Sequence, residues 1–211
     1  IRECEAIMEV IRCFDDENIV HVHGSVDPVR DIDIIETELI LKDLDSVEKR
    51  LVTETKNARM GGAEAKARLA ACELLKSTLE EGKPARAVLD HSEEMQGIIF
   101  ELCLLTAKPI FYCANVKEDD ILTGNAYVDK LKEFAAKQNA EVIMISGKIE
   151  EELSAMEPEE KAEFLKELCI KESGLDAVVR KCYEILGLRT FFTAGEKECR
   201  AWTFHNGYKA P

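Results

Sequence analysis

No run of eighteen apolar residues occurs in the 211-residue chain, so no segment reads as a membrane-spanning helix. The first ten residues, IRECEAIMEV, carry Arg2, Glu3, Glu5 and Glu9 where a secretion signal needs an apolar centre. Eight cysteines are present without a C-x-x-C pair, and most sit in apolar or helical patterns. They are expected to be reduced core thiols, in keeping with a cytoplasmic protein, rather than disulfides or a metal cluster. His21 and His23 share a face of an expected strand, but no third ligand lies near them, so no metal is assigned there. Also absent are a G-x-x-x-x-G-K-[ST] loop, which would cradle nucleotide phosphates, and an Asp-x-x-Gly turn, which would sense a terminal phosphate and its magnesium. The chain has no net positive charge either. At -14 it is unsuited to indiscriminate binding of nucleic acid by its whole surface.

What is present is enough for one sizeable core or two small ones, with 46% hydrophobic residues. The pivotal stretch is Thr106 to Asp120, TAKPIFYCANVKEDD. From Pro109 to Ala114 it is apolar without a helical stripe or alternation, which suits a strand covered on both faces, as in a parallel sheet. Asn115, Val116, Lys117 and Glu118 follow at once, placing an amide and a carboxylate at the strand's carboxyl end. Ligands of open α/β sheets bind at that edge. A second run, Glu141 to Lys148, breaks likewise into a polar turn at Ser146 and Gly147. Between them, Tyr127, Val128, Leu131, Phe134 and Ala135 recur at helical spacing within Tyr127 to Asn139. Strand, helix and strand make one right-handed crossover unit.

Asn-x-x-Glu alone is a weak signal, better explained by an ordinary strand-to-loop turn with a helix-capping carboxylate. Joined to Ser146-Gly147-Lys148 at crossover spacing, it resembles the base-recognition end of a P-loop GTPase-type domain. Asn115 to Glu118 then stand for the asparagine-lysine-x-aspartate motif, and Ser146 to Lys148 for the serine-alanine-lysine motif. Val116 replaces the lysine that lies along the purine, and Glu118 replaces the aspartate that accepts from guanine. Lengthening that carboxylate by a methylene should loosen guanine preference, because discrimination rests on pairing buried donors.

This form is similar to the YchF, or Obg-like ATPase, family, whose members favour ATP over GTP. Further stretches agree: Ile11 to Phe14, Asn18 to Val22, Ser25 to Pro28, Asp31 to Leu41, Phe191 to Glu198 and Arg200 to Thr203. The resemblance implies an α/β P-loop NTPase sheet, incomplete at its N-terminal side, with an inserted antiparallel helical arm. It implies domains at 1–30 and 105–188 for nucleotide binding, 31–104 for the arm and 189–211 for the start of a β-grasp TGS module. The expected base-site residues are Asn115 as purine anchor, Val116 packing on the base or offering its backbone, Glu118 as discriminator, and Ser146 and Gly147 closing the pocket through backbone donors.

Along the rest of the chain, Ala6 to Phe14 reads as a strand and Val20 to Gly24 as a short extended segment. Ile32, Ile35, Leu39, Leu44, Val47 and Leu51 line one side of a helix from Asp31 to about Arg59, which Met60-Gly61-Gly62 ends. A second helix, about Ala63 to Glu81, folds back on it as a hairpin. Residues 49–86 hold nine basic and five acidic side chains, so the remainder is strongly acidic. From the residues alone, the hairpin serves equally as a solvated structural arm or as a binding surface. The family resemblance implies ribosome or RNA contact, for which Lys56, Arg59, Lys66 and Arg68 are the candidates, acting on phosphate without sequence readout.

Helices are further expected at Ser92 to Leu105, across the acidic segment Ile149 to Cys169, where Glu157-Pro158-Glu159-Glu160 places a proline at a helix start with carboxylates in the first turn, and at Asp176 to Leu186 with Val178, Val179, Cys182, Ile185 and Leu186 inward. Two strands, Thr190 to Thr193 and Cys199 to Phe204, close the sequence. The resemblance implies that the phosphate-binding loop and the Mg2+ ligands lie upstream of Ile1, that the complete protein is a monomeric ATPase taking ATP (or GTP less readily), and that this portion alone is inactive. The competing expectation is a non-enzymatic adaptor that binds RNA or protein through the arm.

Overall fold

In the computed structural model, residues 1–19 and 24–208 are described. The expected extended segment at Val20 to Gly24 and the pair His21 and His23 fall almost wholly outside them. The elements run β1 (Ile7–Arg12), α1 (Pro28–Met60), α2 (Ala63–Glu80), α3 (Glu93–Glu101), β2 (Ile110–Asn115), α4 (Ala126–Lys137), β3 (Val142–Ile145), α5 (Gly147–Ser154), α6 (Pro158–Glu167), α7 (Gly174–Ile185), β4 (Leu188–Ala194) and β5 (Cys199–His205). They form two compact units, one of Ile1–Ile7 with Val29–Lys108 and one of Met8–Pro28 with Pro109–Pro211.

The first unit is helical. α1 has 33 residues, a rod of about 50 Å at 1.5 Å per residue. Ile40 and Val47 lie one heptad apart on its buried side and pack with Ala71, Cys72, Leu75 and Leu79 of α2 and Met95, Ile98 and Ile99 of α3. Leu44 and Leu51 cover the margin of the same cluster. The turn between α1 and α2 needs glycine for space, since a Cβ on Gly61 would lie 2.5 Å from Ala65 Cβ and 2.8 Å from the Asn57 carbonyl oxygen.

Two carboxylates interrupt the apolar stripe of α1. Asp43 is fully buried and accepts from the backbone amides of Leu105 (2.9 Å) and Thr106 (2.7 Å) and from Thr106 Oγ1 (2.8 Å). Arg2 reaches the same carboxylate at 3.6 Å and also donates to the Lys42 and Leu102 carbonyls. Glu54, 2% exposed, is held by Arg50 at 2.6 Å and Arg68 at 3.5 Å. These bonds explain a departure from the sequence expectation. The helix anticipated over Ser92 to Leu105 stops at Glu101, Cys103 takes a left-handed φ of 49°, and a 3-10 turn follows at Leu105–Ala107. Amides captured by Asp43 are unavailable to a continuing helix.

The second unit contains a three-stranded sheet in the order β1-β2-β3. β2 and β3 are parallel, with Tyr112 opposite Val142 and Asn115 opposite Ile145. Phe111, Tyr112, Cys113 and Ala114 are each fully buried, as the unbroken apolar run required. α4 makes the crossover, burying Val128, Leu131 and Ala135. Its N-cap Asn125 accepts from the Tyr127 and Val128 amides, which explains where the helix begins.

The acidic segment is two helices, the second starting at the proline as expected. α5 ends at Ser154, and α6 restarts with Pro158 at its first turn and a capping box between Glu157 and Glu160. α7 also departs from expectation, because Val179 is 56% exposed and none of its residues is fully buried. β4 and β5 form an antiparallel hairpin from Leu188↔His205 to Ala194↔Cys199, joined across Gly195. No helix among the described residues is long and apolar enough to cross a membrane.

Candidate nucleotide-base site

The carboxyl ends of the three strands are stitched together by polar side chains. The Cys13 amide, just beyond β1, donates to the Asn115 carbonyl at 2.8 Å. The Val116 amide, just beyond β2, donates to the Ile145 carbonyl at 2.8 Å. Asn115 closes the edge with its side chain, whose Oδ1 accepts from the Gly147 amide at 3.0 Å. That amide is at the start of α5, where the first N–H groups have no partner within the helix. Asn125 completes the frame, since its Nδ2 donates to the Cys13 carbonyl at 2.8 Å and to Asp120 Oδ2 at 2.7 Å. Tyr127 adds a bond from its hydroxyl to Asp15 Oδ2 at 2.7 Å, and this acceptor raises the phenol's pKa.

Glu118 opens a 3-10 turn, Glu118–Asp120, beside this edge. Its Oε2 accepts from Lys148 Nζ at 2.8 Å, so the motif after β2 and the motif after β3 meet through a charge pair. Hydrogen bonding to Glu118, followed by its negative charge and those of Glu152 and Asp119, raises the Lys148 pKa, which keeps the ammonium protonated. Asn115, Gly147, Glu118 and Lys148 are thus brought together.

Val116 and Ser146 are placed differently. Val116 is 2% exposed, so its side chain packs inside the protein, and of the two expected roles only the backbone one fits this geometry. Ser146 is also 2% exposed and stands at the N-cap of α5 without capping it. Its Oγ has no hydrogen-bond partner among the described residues. Ser146 also borders a cavity of about 320 Å³ whose wall includes Met144, Ile149, Leu165, Ile170 and Ala177.

Sequence reasoning missed Glu150, Asn125 and the pairing role of Lys148. Glu150 Oε1 and Oε2 accept from the Gly174 and Leu175 amides at 2.7 and 3.3 Å, a carboxylate at the positive end of α7. Close packing holds it there, because a Cβ on Gly174 would stand 2.9 Å from Glu150 Oε1 and 2.8 Å from Ile145 Cγ2. The asparagine ahead of a helical stripe was the one available signal for Asn125, while the Glu150 and Lys148 pairings join residues 24 and 30 positions apart.

The basic candidates of the helical unit divide as well. Lys56, Arg59 and Lys66 are exposed and make no ion pair among the described residues. Arg68 is committed internally, 2.9 Å from Glu101 and 3.5 Å from Glu54, and these partners raise its pKa.

No family model matches the chain. Individual proteins do. A Bacillus subtilis protein named ribosome-binding ATPase YchF is 49% identical over 213 residues, which cover 100% of this chain and 58% of that protein. The Haemophilus influenzae protein of the same name is 46% identical over 211 residues, again covering 58% of its length. A solved structure described as the Schizosaccharomyces pombe YchF GTPase superposes with a TM-score of 0.83 at 37% identity, covering 99% of this chain and 57% of that one. The chain therefore spans somewhat over half the length of the relatives it matches, and its α/β fold is that of a P-loop NTPase family.

Proposed function

As a homologue of the YchF proteins over its whole length, the chain belongs to that family, and we propose that Asn115, Glu118, Ser146 and Gly147 form the purine end of a nucleotide site. The observation that carries this is the bond from the Gly147 amide to Asn115 Oδ1 across the ends of two parallel strands, with Glu118 beside it. One side chain is thereby fixed at the crevice where α/β sheets take ligands, and its Nδ2 remains to meet a base.

The residues bind and select; they do not break bonds. Val116 contributes through its backbone. Hydrolysis of ATP in preference to GTP is assigned to the full-length gene product, with energy from the base end spent on positioning the nucleotide.

In the same reading, residues 31–104 are an arm that meets the ribosome in the cytoplasm through Lys56, Arg59 and Lys66, and residues 189–211 begin a TGS module. The names borne by the relatives, ribosome-binding ATPase and GTPase, support a nucleotide-dependent ribosome factor. The full-length gene product should turn over ATP with a higher kcat/KM than GTP. Turnover of neither, or of GTP alone, refutes the assignment.

A further inference from the structure

We infer that the adenine-reading element is the Glu118–Lys148 ion pair acting as one unit, with Lys148 as the residue that turns the site away from guanine. The inference rests on the purine-end reading and makes it more specific.

The Watson–Crick edges of the two purines differ in a simple way. Guanine presents two adjacent donors, N1–H and the N2 amino group, next to an acceptor at O6. Adenine presents one donor, its N6 amino group, next to an acceptor at ring N1. A bare carboxylate offers two acceptors and so fits guanine's two donors. A carboxylate that shares one oxygen with an ammonium offers one acceptor and one donor. With the free carboxylate oxygen facing the 6-position and the ammonium facing N1, the placement proposed here, that pattern matches adenine's edge and sets a donor against guanine's N1–H.

The geometry supplies this second pattern. Lys148 Nζ is 2.8 Å from Glu118 Oε2. Glu118 Oε1 has no hydrogen-bond partner among the described residues and remains an acceptor. Lys148 is 66% exposed and Glu118 38%, so both reach solvent and both remain open to a ligand. The ammonium carries three donors, of which Glu118 uses one. Asp119 and Glu152 add negative charge around Lys148 and help keep it protonated. Both chain segments are fixed close to the pair, Lys148 by the Gly147–Asn115 bond and Glu118 by the turn that follows β2.

An exposed ion pair is weak. Its influence on base choice is correspondingly a few-fold and is screened by salt. Lys148 therefore adds to the lengthened carboxylate without replacing its effect.

The test is equilibrium binding of fluorescently labelled ADP and GDP to the full-length gene product, read as the ratio of the two Kd values. Lys148→Met should cut the adenine preference about three- to fivefold, while Lys148→Arg, which keeps a donor on Glu118, should retain most of it. Raising the salt from low to high should shrink the wild-type preference and leave that of Lys148→Met nearly constant. A ratio unmoved by Lys148→Met overturns the inference. Asn115→Ala separates this failure from a deeper one. If Asn115→Ala weakens both nucleotides while Lys148→Met leaves their ratio unchanged, the purine end stands and the ion-pair inference falls. If Asn115→Ala weakens neither, both fall.

Discussion

The two units of the molecule treat carboxylates in opposite ways. In the helical unit, Asp43 and Glu54 are buried in the stripe of α1, and each is surrounded by donors from its own unit. In the α/β unit, Glu118 lies at the strand edge, more than a third exposed, with a single lysine partner. A buried carboxylate whose two oxygens accept from backbone amides, as in Asp43, fixes backbone and is closed to a ligand. An exposed one with an unused oxygen at the end of a parallel sheet is available for recognition. Charge count alone draws attention to the helical unit, since the basic excess lies in residues 49–86, but part of it, Arg50 and Arg68, is committed to Glu54 and Glu101.

The largest expected effect tests the structural half of this contrast. Asp43→Ala removes the acceptor for two backbone amides and a hydroxyl inside the helical unit. It should cost about 3 kcal/mol or more in urea unfolding, because hydrogen bonds to a charged group contribute about 1.5–3 kcal/mol each. A loss below about 1 kcal/mol would mean that the buried carboxylate does not hold the 3-10 turn at Leu105–Ala107 in place.

Next in size is a property that the units share. Burial pushes the thiols of Cys72 in α2 and Cys113 in β2 up to about 11 from 9.0. A pKa raised in the fold favours the neutral thiol there, while the unfolded chain ionises first. Stability from this source is therefore intact below about pH 9 and is lost as pH rises toward 11, by on the order of 2 kcal/mol per thiol. Unfolding midpoints followed from pH 8 to 11 should fall in wild type and fall less in Cys113→Ala. Parallel curves would show that Cys113 is not protected in the way its burial implies.

Charge reversal on the arm gives a smaller and more specific effect. Replacing Lys56, Arg59 and Lys66 together by glutamate should weaken ribosome binding about tenfold and flatten its salt dependence, with nucleotide affinity unchanged, since such lysines act on phosphate charge. Arg68 is left out because reversing it would strip a partner from buried Glu54. Co-sedimentation with ribosomes at two salt concentrations reads the effect, and undiminished binding would remove the arm from the proposed interface.

Much of this architecture was legible in the residues, and the exceptions have separate causes. The strand at Ile110–Asn115 and the helix at Ala126–Lys137 follow from local periodicity and one capping asparagine. The limits of α1 and α2 follow from Pro28 and the Gly61-Gly62 turn. Periodicity failed where a distant polar group overrode it. Asp43 captures amides 62 and 63 residues away and holds the chain beyond α3 in a 3-10 turn, although a carboxylate on a helical stripe reads as solvated. At the candidate site, the positions of Asn115, Glu118, Ser146 and Gly147 came from motif spacing. Their division into a buried Val116 and Ser146 and a solvent-facing Glu118–Lys148 pair depends on strand register and on the helix start at Gly147, which sequence spacing does not encode.

The central claim is that Asn115, fixed by the Gly147 amide, anchors a purine at the ends of β2 and β3. The most direct measurement is the affinity of the full-length gene product carrying Asn115→Ala for ADP and for GDP, with circular dichroism confirming an unchanged fold. The account predicts that both affinities fall by about tenfold or more, the value of about one or two lost hydrogen bonds to a base. Affinities equal to those of the wild-type protein would contradict it and place the base elsewhere.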